Sequence, residues 1–181
     1  MTKYGGGDEF TTLSGRRVHV LKPRPEDVVL ADVANALARV CRFGGHVSIH
    51  LSVAQHSVLV SEIVGDMGGD GKLQLVGLLH DASEAYVGDV ISPLKHQLAD
   101  YKEIERGWQE AIGKSLGADL VAMPDIIHRA DKVAFDTEWR DCFPDRLPVW
   151  GATPSTARRI HPMGPDAARD LFLARYDQLT K

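Results

Sequence analysis

The stretch "LLHDASEAYVGDVISPLK", residues 78–95, sets His80 beside Asp81 and follows them with Glu84, Asp89 and Lys95. Imidazole nitrogens and carboxylate oxygens hold divalent transition metals, and a carboxyl group close to such an ion can carry protons for hydrolysis. On a helix, adjacent side chains diverge by about 100°, so His80 and Asp81 do not share a face, yet an ion lying beside the groove between them is within reach of both. Glu84 stands four residues after His80 and three after Asp81, so it projects near the same side one turn along. The preceding "LQLVGLL" is apolar on nearly every side, the mark of a buried helix, in which charged groups need a partner or a metal. By itself the dipeptide also fits the polar end of an amphipathic helix. His56 in "SVAQHSVLV" and Asp131 in "IIHRADKVAF" change that balance. Taken singly, His56 reads as a hydrogen-bonded core histidine and Asp131 as a salt-bridge partner of Arg129 or Lys132. Taken together, two imidazoles and two carboxylates on three predicted helices make a mixed N and O ligand set for a divalent ion, with coordination positions left over for water.

The elements that must bring these residues together are helices. "FTTLSGRRVHVL", residues 10–21, reads as two short β-like runs around Ser14-Gly15, a small hairpin expected to be an appendage. From Pro25 the apolar residues Val28, Val29, Val33, Ala36, Leu37 and Val40 fall at helical spacing until "RFGG" stops them. Further helices are predicted over 52–64, from 72 through "LQLVGLLHDASEAY", briefly within 89–98, over 100–117 with Asp100 as its cap, from Pro124 through "DIIHRADKVAFDTEWRDCF", and over 165–179. Residues 144–162 hold four prolines and read as an irregular connection. The expected fold is an all-α bundle with a tail and hairpin over 1–24 and one globular domain over 25–181. With 21 Lys and Arg against 25 Asp and Glu, the net charge of −4 lacks the basic footprint of a nucleic-acid binder and favours a small ligand. Cys41 and Cys142, the two cysteines, form no CxxC and are expected as packed thiols in a reducing compartment. No run of apolar residues is long enough for a membrane span, and the expected location is the cytoplasm, with no membrane partner.

The order His56, His80-Asp81, Asp131 resembles the H…HD…D pattern of the HD-domain metal-dependent phosphohydrolases. "HDASEAYVGDVISPLK" is similar to the active-site segment of their bacterial 5′-deoxynucleotidases and phage dNTP triphosphohydrolases, matching it at His80, Asp81, Ser83, Glu84, Gly88, Asp89, Pro93 and Lys95. The resemblance covers residues 37–141. It extends to an Arg followed by an aromatic ahead of the first metal-binding His, here Arg42 and Phe43, fourteen and thirteen residues before His56. Phe43 departs from the Trp of those nucleotidases and lacks its N–H donor. "GGHVSIH" adds His46 and His50 close in sequence to the site. The HDxxED form of guanosine tetraphosphate hydrolases is absent, because Ala85 follows Glu84.

The resemblance implies an HD-type helical bundle, a divalent metal (Co, Mn, Fe, Zn or Mg) on His56, His80, Asp81 and Asp131, and hydrolysis of the 5′ phosphoester of a nucleotide, either as a 5′-nucleotidase or as a dNTP triphosphohydrolase. Glu84 is then the expected general acid/base and Asp89 a second catalytic-site carboxylate that accepts a sugar hydroxyl or orients Arg42 or Lys95. Arg42, Phe43, Lys95 and His46 are the expected substrate contacts, the two cations suiting the charge of a phosphoryl group, and Ser83 is expected to be structural. Two other readings stay open from sequence: a nucleotide-binding regulatory module without catalysis, and a di-iron oxygenase that recruits His46 and His50. A symmetric homo-oligomer is compatible with a helical chain of this size.

Overall fold

A computed structural model describes residues 7–143 and 156–181, and it is mostly helical with one small antiparallel sheet. Strands β1 (Glu9–Thr11) and β2 (Arg17–His19) pair Phe10 with Val18, and the turn between them passes through Gly15 at φ 83°. The hairpin is bound to the bundle more firmly than an appendage would be. Val18 is fully buried, Trp108 donates its indole N–H to the Val20 carbonyl at 3.0 Å, and the hydroxyls of Thr12 and Ser14 both donate to Asp32 at 2.6 Å. Alternation along three residues could not reveal these anchors, because they are supplied by helices distant in sequence.

The helical run foreseen from Pro25 divides. A single 3₁₀ turn covers Pro25–Asp27, Val28 and Val29 are extended, and α1 spans Leu30–Leu37. A second 3₁₀ turn, Arg42–Gly45, follows. Helix α2 (Val53–Asp66) starts at Ser52, whose hydroxyl accepts from the Gln55 amide, and α3 (Gly71–Leu79) starts at Asp70, whose carboxylate accepts from the Leu73 amide. Helix α3 ends at the histidine-aspartate pair. Through residues 80–86 the backbone N–H groups turn from the fourth preceding carbonyl to the third: Ala82 to Leu79, Glu84 to Asp81, Ala85 to Ala82 and Tyr86 to Ser83. This tighter winding separates α3 from the one-turn helix α4 (Glu84–Val87). Helix α5 (Ser92–Lys95) has Pro93 in its first turn. Helix α6 (Ala99–Leu116) is preceded by Leu98, so Asp100 lies in its first turn and is not its cap, and Gly117 closes it at φ 78°. Pro124 precedes α7 (Asp125–Cys142), and α8 (Pro165–Thr180) completes the chain.

Helix α2 lies at the centre and packs against α3, α7 and α8. Its flanks carry Val58, Val60, Ile63 and Val64 into a core shared with Val33 and Leu37 of α1, Leu78 and Leu79 of α3, Ile112 of α6, Ile127 of α7 and Phe172 of α8. Gly77 of α3 lets that helix approach the Ser61 backbone closely, since a Cβ there would stand 3.3 Å from the Ser61 Cα. Trp108 stacks on Tyr86 with centroids 3.7 Å apart, which fastens α4 to α6. Cys142 is buried, Cys41 is half-buried, and both are free thiols. Of the expected irregular connection, residues 156–162 are non-helical, and its earlier part lies outside the described residues. No described helix is long and apolar enough to cross a membrane.

Candidate metal and substrate site

Packing α2, α3 and α7 together brings one imidazole or carboxylate from each to a common point. His56, in the second turn of α2, is fully buried; His80, immediately after α3, is nearly so; Asp131 projects from α7. His56 Nε2 lies 3.3 Å from His80 Nε2 and 3.2 Å from Asp131 Oδ1. Asp81 completes the group, its Oδ2 standing 3.5 Å from His56 Nε2 and 3.2 Å from His80 Nε2. With metal–ligand bonds of about 2.1 Å, adjacent ligand atoms stand about 3.0 Å apart in an octahedron and about 3.4 Å apart in a tetrahedron. The observed separations have that scale. His56, His80 and Asp131 form a buried cluster that could hold a metal ion. The sequence alternative for Asp131 is not what forms, since Arg129 pairs with Asp125 and Lys132 bonds Asp136.

Both rings are oriented from behind. His80 Nδ1 is 2.8 Å from the Gly77 carbonyl, an acceptor, so that nitrogen carries the proton and Nε2 is free to act as a ligand. His56 Nδ1 is 2.6 Å from Oε1 of Glu138, a fully buried carboxylate of α7. The other oxygen of Glu138 accepts from Arg42 Nε at 2.9 Å. Sequence reasoning missed Glu138. Its signal was present: Glu138 lies seven residues after Asp131, two turns along the same face of one amphipathic helix.

In front of the cluster is a half-open cleft of about 330 Å³, lined by Arg42, Phe43, Asp81, Glu84, Asp89, Lys95, Asp131 and Phe135 among others. Glu84 is buried there, and its Oε2 has no hydrogen-bond partner among the described residues. Burial, then the charges of Asp81 and Asp89, hold its carboxyl well above the usual carboxylate range. Burial likewise raises Asp89. Among the described residues Asp89 makes no ion pair with Arg42 or Lys95, while Lys95 donates to Glu105 at 2.5 Å and so reaches the cleft already engaged. Arg42 has its Nε on Glu138 and its Nη1 3.6 Å from Asp81 Oδ2, leaving only the outer edge of its fork for an anion. Phe43 adopts φ 57° and ψ 26°, in the left-handed region, a strained conformation for a bulky residue. It is held there by contacts with Phe135 and Phe143 at 5.4 and 5.0 Å between centroids. His46 and His50 are exposed and do not line the cleft. Ser83 is buried with its hydroxyl unbonded among the described residues.

The electrostatics of the group call for a cation. Among the described residues, Asp81, Glu84, Asp89 and Asp131 share the cleft with the cations Arg42 and Lys95, while Glu138 lies behind it against Arg42 and His56. Burial and Arg42 both oppose a charge on His56, yet Glu138, Asp131 and Asp81 outweigh them and raise its pKa well above the ordinary histidine value.

Fold and site together define a class: a helical protein with a buried histidine and aspartate cluster suited to a divalent ion, open to a polar cleft. The uncharacterized protein YfdR of Escherichia coli K12 is 35% identical to the chain over 174 residues, 94% of each. The uncharacterized protein RCAP_rcc00048 of Rhodobacter capsulatus is 38% identical over 127 residues, 67% of the chain and 64% of that relative. The chain belongs to the family of YfdR. No family model matches it.

Proposed function

We propose that the protein is a divalent-metal-dependent phosphohydrolase of the HD type that cleaves the 5′ phosphoester of a nucleotide. The observation that carries this reading is the convergence of His56 Nε2, His80 Nε2, Asp81 Oδ2 and Asp131 Oδ1 beside a cleft that also holds two cations and the buried Glu84 carboxyl, whose Oε2 has no partner among the described residues. The donor set fits an ion such as Mn, Co, Fe, Zn or Mg, with room for water. When bound, such an ion lowers the pKa of a water and polarises a phosphoryl oxygen.

The chain's own residues supply the rest. Burial and the charges of Asp81 and Asp89 hold the Glu84 carboxyl well above the usual carboxylate range, and positive charge beside Asp81 would ease its ionisation, which suits it to take a proton from water and return it to the leaving nucleoside oxygen. The outer edge of the Arg42 guanidinium and the Lys95 ammonium stabilise negative charge on the transferred group. Phe43 and Phe135 form apolar cleft wall beside them, suited to the flat face of a base or sugar. The test is incubation with ribo- and deoxynucleoside mono-, di- and triphosphates plus Mn, Co or Mg, with orthophosphate, pyrophosphate and triphosphate read separately. Orthophosphate from monophosphates identifies a 5′-nucleotidase, and intact triphosphate identifies a triphosphohydrolase. Asp81→Asn is expected to lose both the bound ion and turnover. Absence of product with every metal, from protein that binds one ion per chain, would overturn the hydrolase reading.

A further inference from the structure

Glu138 sits between two groups that both donate to it when His56 serves as a ligand. For His56 to offer a lone pair at Nε2, its ring proton must be on Nδ1, and Nδ1 faces Oε1 of Glu138 at 2.6 Å. Arg42 is a donor at every nitrogen, and its Nε faces Oε2 at 2.9 Å. The carboxylate is fully buried on α7, His56 is fully buried on α2, and the Arg42 side chain is largely buried.

We propose that Glu138 is the positioning residue of the site: its carboxylate holds the His56 ring proton on Nδ1, so that Nε2 faces the ion, and at the same time aims Arg42 at the cleft. This rests on the metal-centre reading above. The reason is one of donor arithmetic. A carboxylate accepts at both oxygens, whereas an amide of the same shape accepts at one end and donates at the other. In Glu138→Gln, the permanently charged guanidinium takes the amide carbonyl, because charge-assisted hydrogen bonds are the stronger ones. The NH₂ group is then left facing His56. The imidazole satisfies it by accepting at Nδ1, and its single ring proton moves to Nε2, the atom that must be bare to bind an ion. Packing is unchanged; the tautomer is not.

The experiment is a calorimetric and d–d absorption titration of metal-free protein with Co²⁺, comparing wild type, Glu138→Gln and the double variant Arg42→Gln/Glu138→Gln, alongside NMR of the His56 ring in ¹⁵N-labelled, Zn²⁺-loaded wild type. Wild type is expected to bind one ion per chain, and Glu138→Gln to bind it about 10–100-fold more weakly. The double variant should recover much of that loss, because no guanidinium then competes for the amide carbonyl. The NMR spectrum should show a downfield, exchange-protected proton on His56 Nδ1. Affinity of Glu138→Gln within a factor of about three of wild type would overturn the inference while leaving the metal centre intact, and so would a double variant no better than the single one. If Glu138→Gln fails to fold, the NMR spectrum decides, and an unprotected or absent Nδ1 proton overturns the inference. Wild type that binds no Co²⁺ would overturn the metal-centre reading and this inference together.

Discussion

At the scale of single residues, the site is governed by where protons can sit. Glu84 is the carboxyl whose surroundings oppose ionisation most plainly, being buried, flanked by Asp81 and Asp89, and without a partner for Oε2 among the described residues. On the proposed hydrolase reading Glu84 is the general acid/base, a role that contributes about 10²–10⁴-fold, so Glu84→Gln is expected to lower kcat by that factor while Co²⁺ stoichiometry stays at one per chain. Loss of the ion instead would make Glu84 a ligand. Most of these residues were legible in the chain only in combination, since His56, the His80-Asp81 pair, Glu84 and Asp131 are each ordinary singly and gain a shared chemistry when taken together. Glu138 shared a helix face with Asp131, but what it pairs with was not legible, because a buried acid on an amphipathic helix has the same appearance whether it faces a lysine, an arginine or a histidine.

At the scale of elements, close approach between backbones is what places the helices. Gly113, near the end of α6, shows how. A helix-interior Gly→Ala change ordinarily stabilises by up to about 1 kcal/mol. At Gly113, however, a Cβ would overlap the Ala118 carbonyl oxygen, which belongs to the turn closing the helix. The steric cost, about 1–3 kcal/mol for such overpacking, exceeds the propensity gain, so Gly113→Ala is expected to lower Tm by several degrees in a thermal melt. Element boundaries were less legible than element types. The break after α3 arises because the hydrogen bonds shorten their span through residues 80–86, a change that leaves the apolar pattern of "LQLVGLLHDASEAY" unaltered.

At the scale of the whole molecule, an ion held by the histidine and aspartate cluster, as proposed, would couple its binding to the stability of the fold. A ligand that binds only the native state stabilises it by about 2.7 kcal/mol at a concentration one hundred times its Kd, so adding Co²⁺ or Mn²⁺ to metal-free protein is expected to raise Tm, and a chelator to reverse the shift. Asp81→Asn should show no such response. A separate pH dependence belongs to Asp141, which ties the end of α7 to the segment 158–160 by accepting from Arg140, Arg159 and the Ile160 amide at 2.7–2.9 Å. The hydrogen bond from Arg140 leads the causes, and together these groups hold its carboxyl well below the usual range against the opposing effect of burial. A depressed native pKa contributes stability that is complete above the unfolded value of about 3.9 and is lost as pH falls. The Tm difference between wild type and Asp141→Asn is therefore expected to be largest near pH 7 and to shrink below about pH 4.

Taken alone, the sequence determined the helical class and the identity of the polar residues worth watching, because apolar period and the cost of burying a charge are both local properties of a chain. The tertiary structure decided everything that depends on two helices meeting. It turned His56 and His80 to face each other at 3.3 Å, put Glu138 behind one ring and the Gly77 carbonyl behind the other, and committed Lys95 to Glu105. It also tied the hairpin to Asp32 and Trp108. A hydrogen bond across 82 residues of chain has no signature in either partner's neighbourhood, since its geometry is set by the packing of α2 on α7.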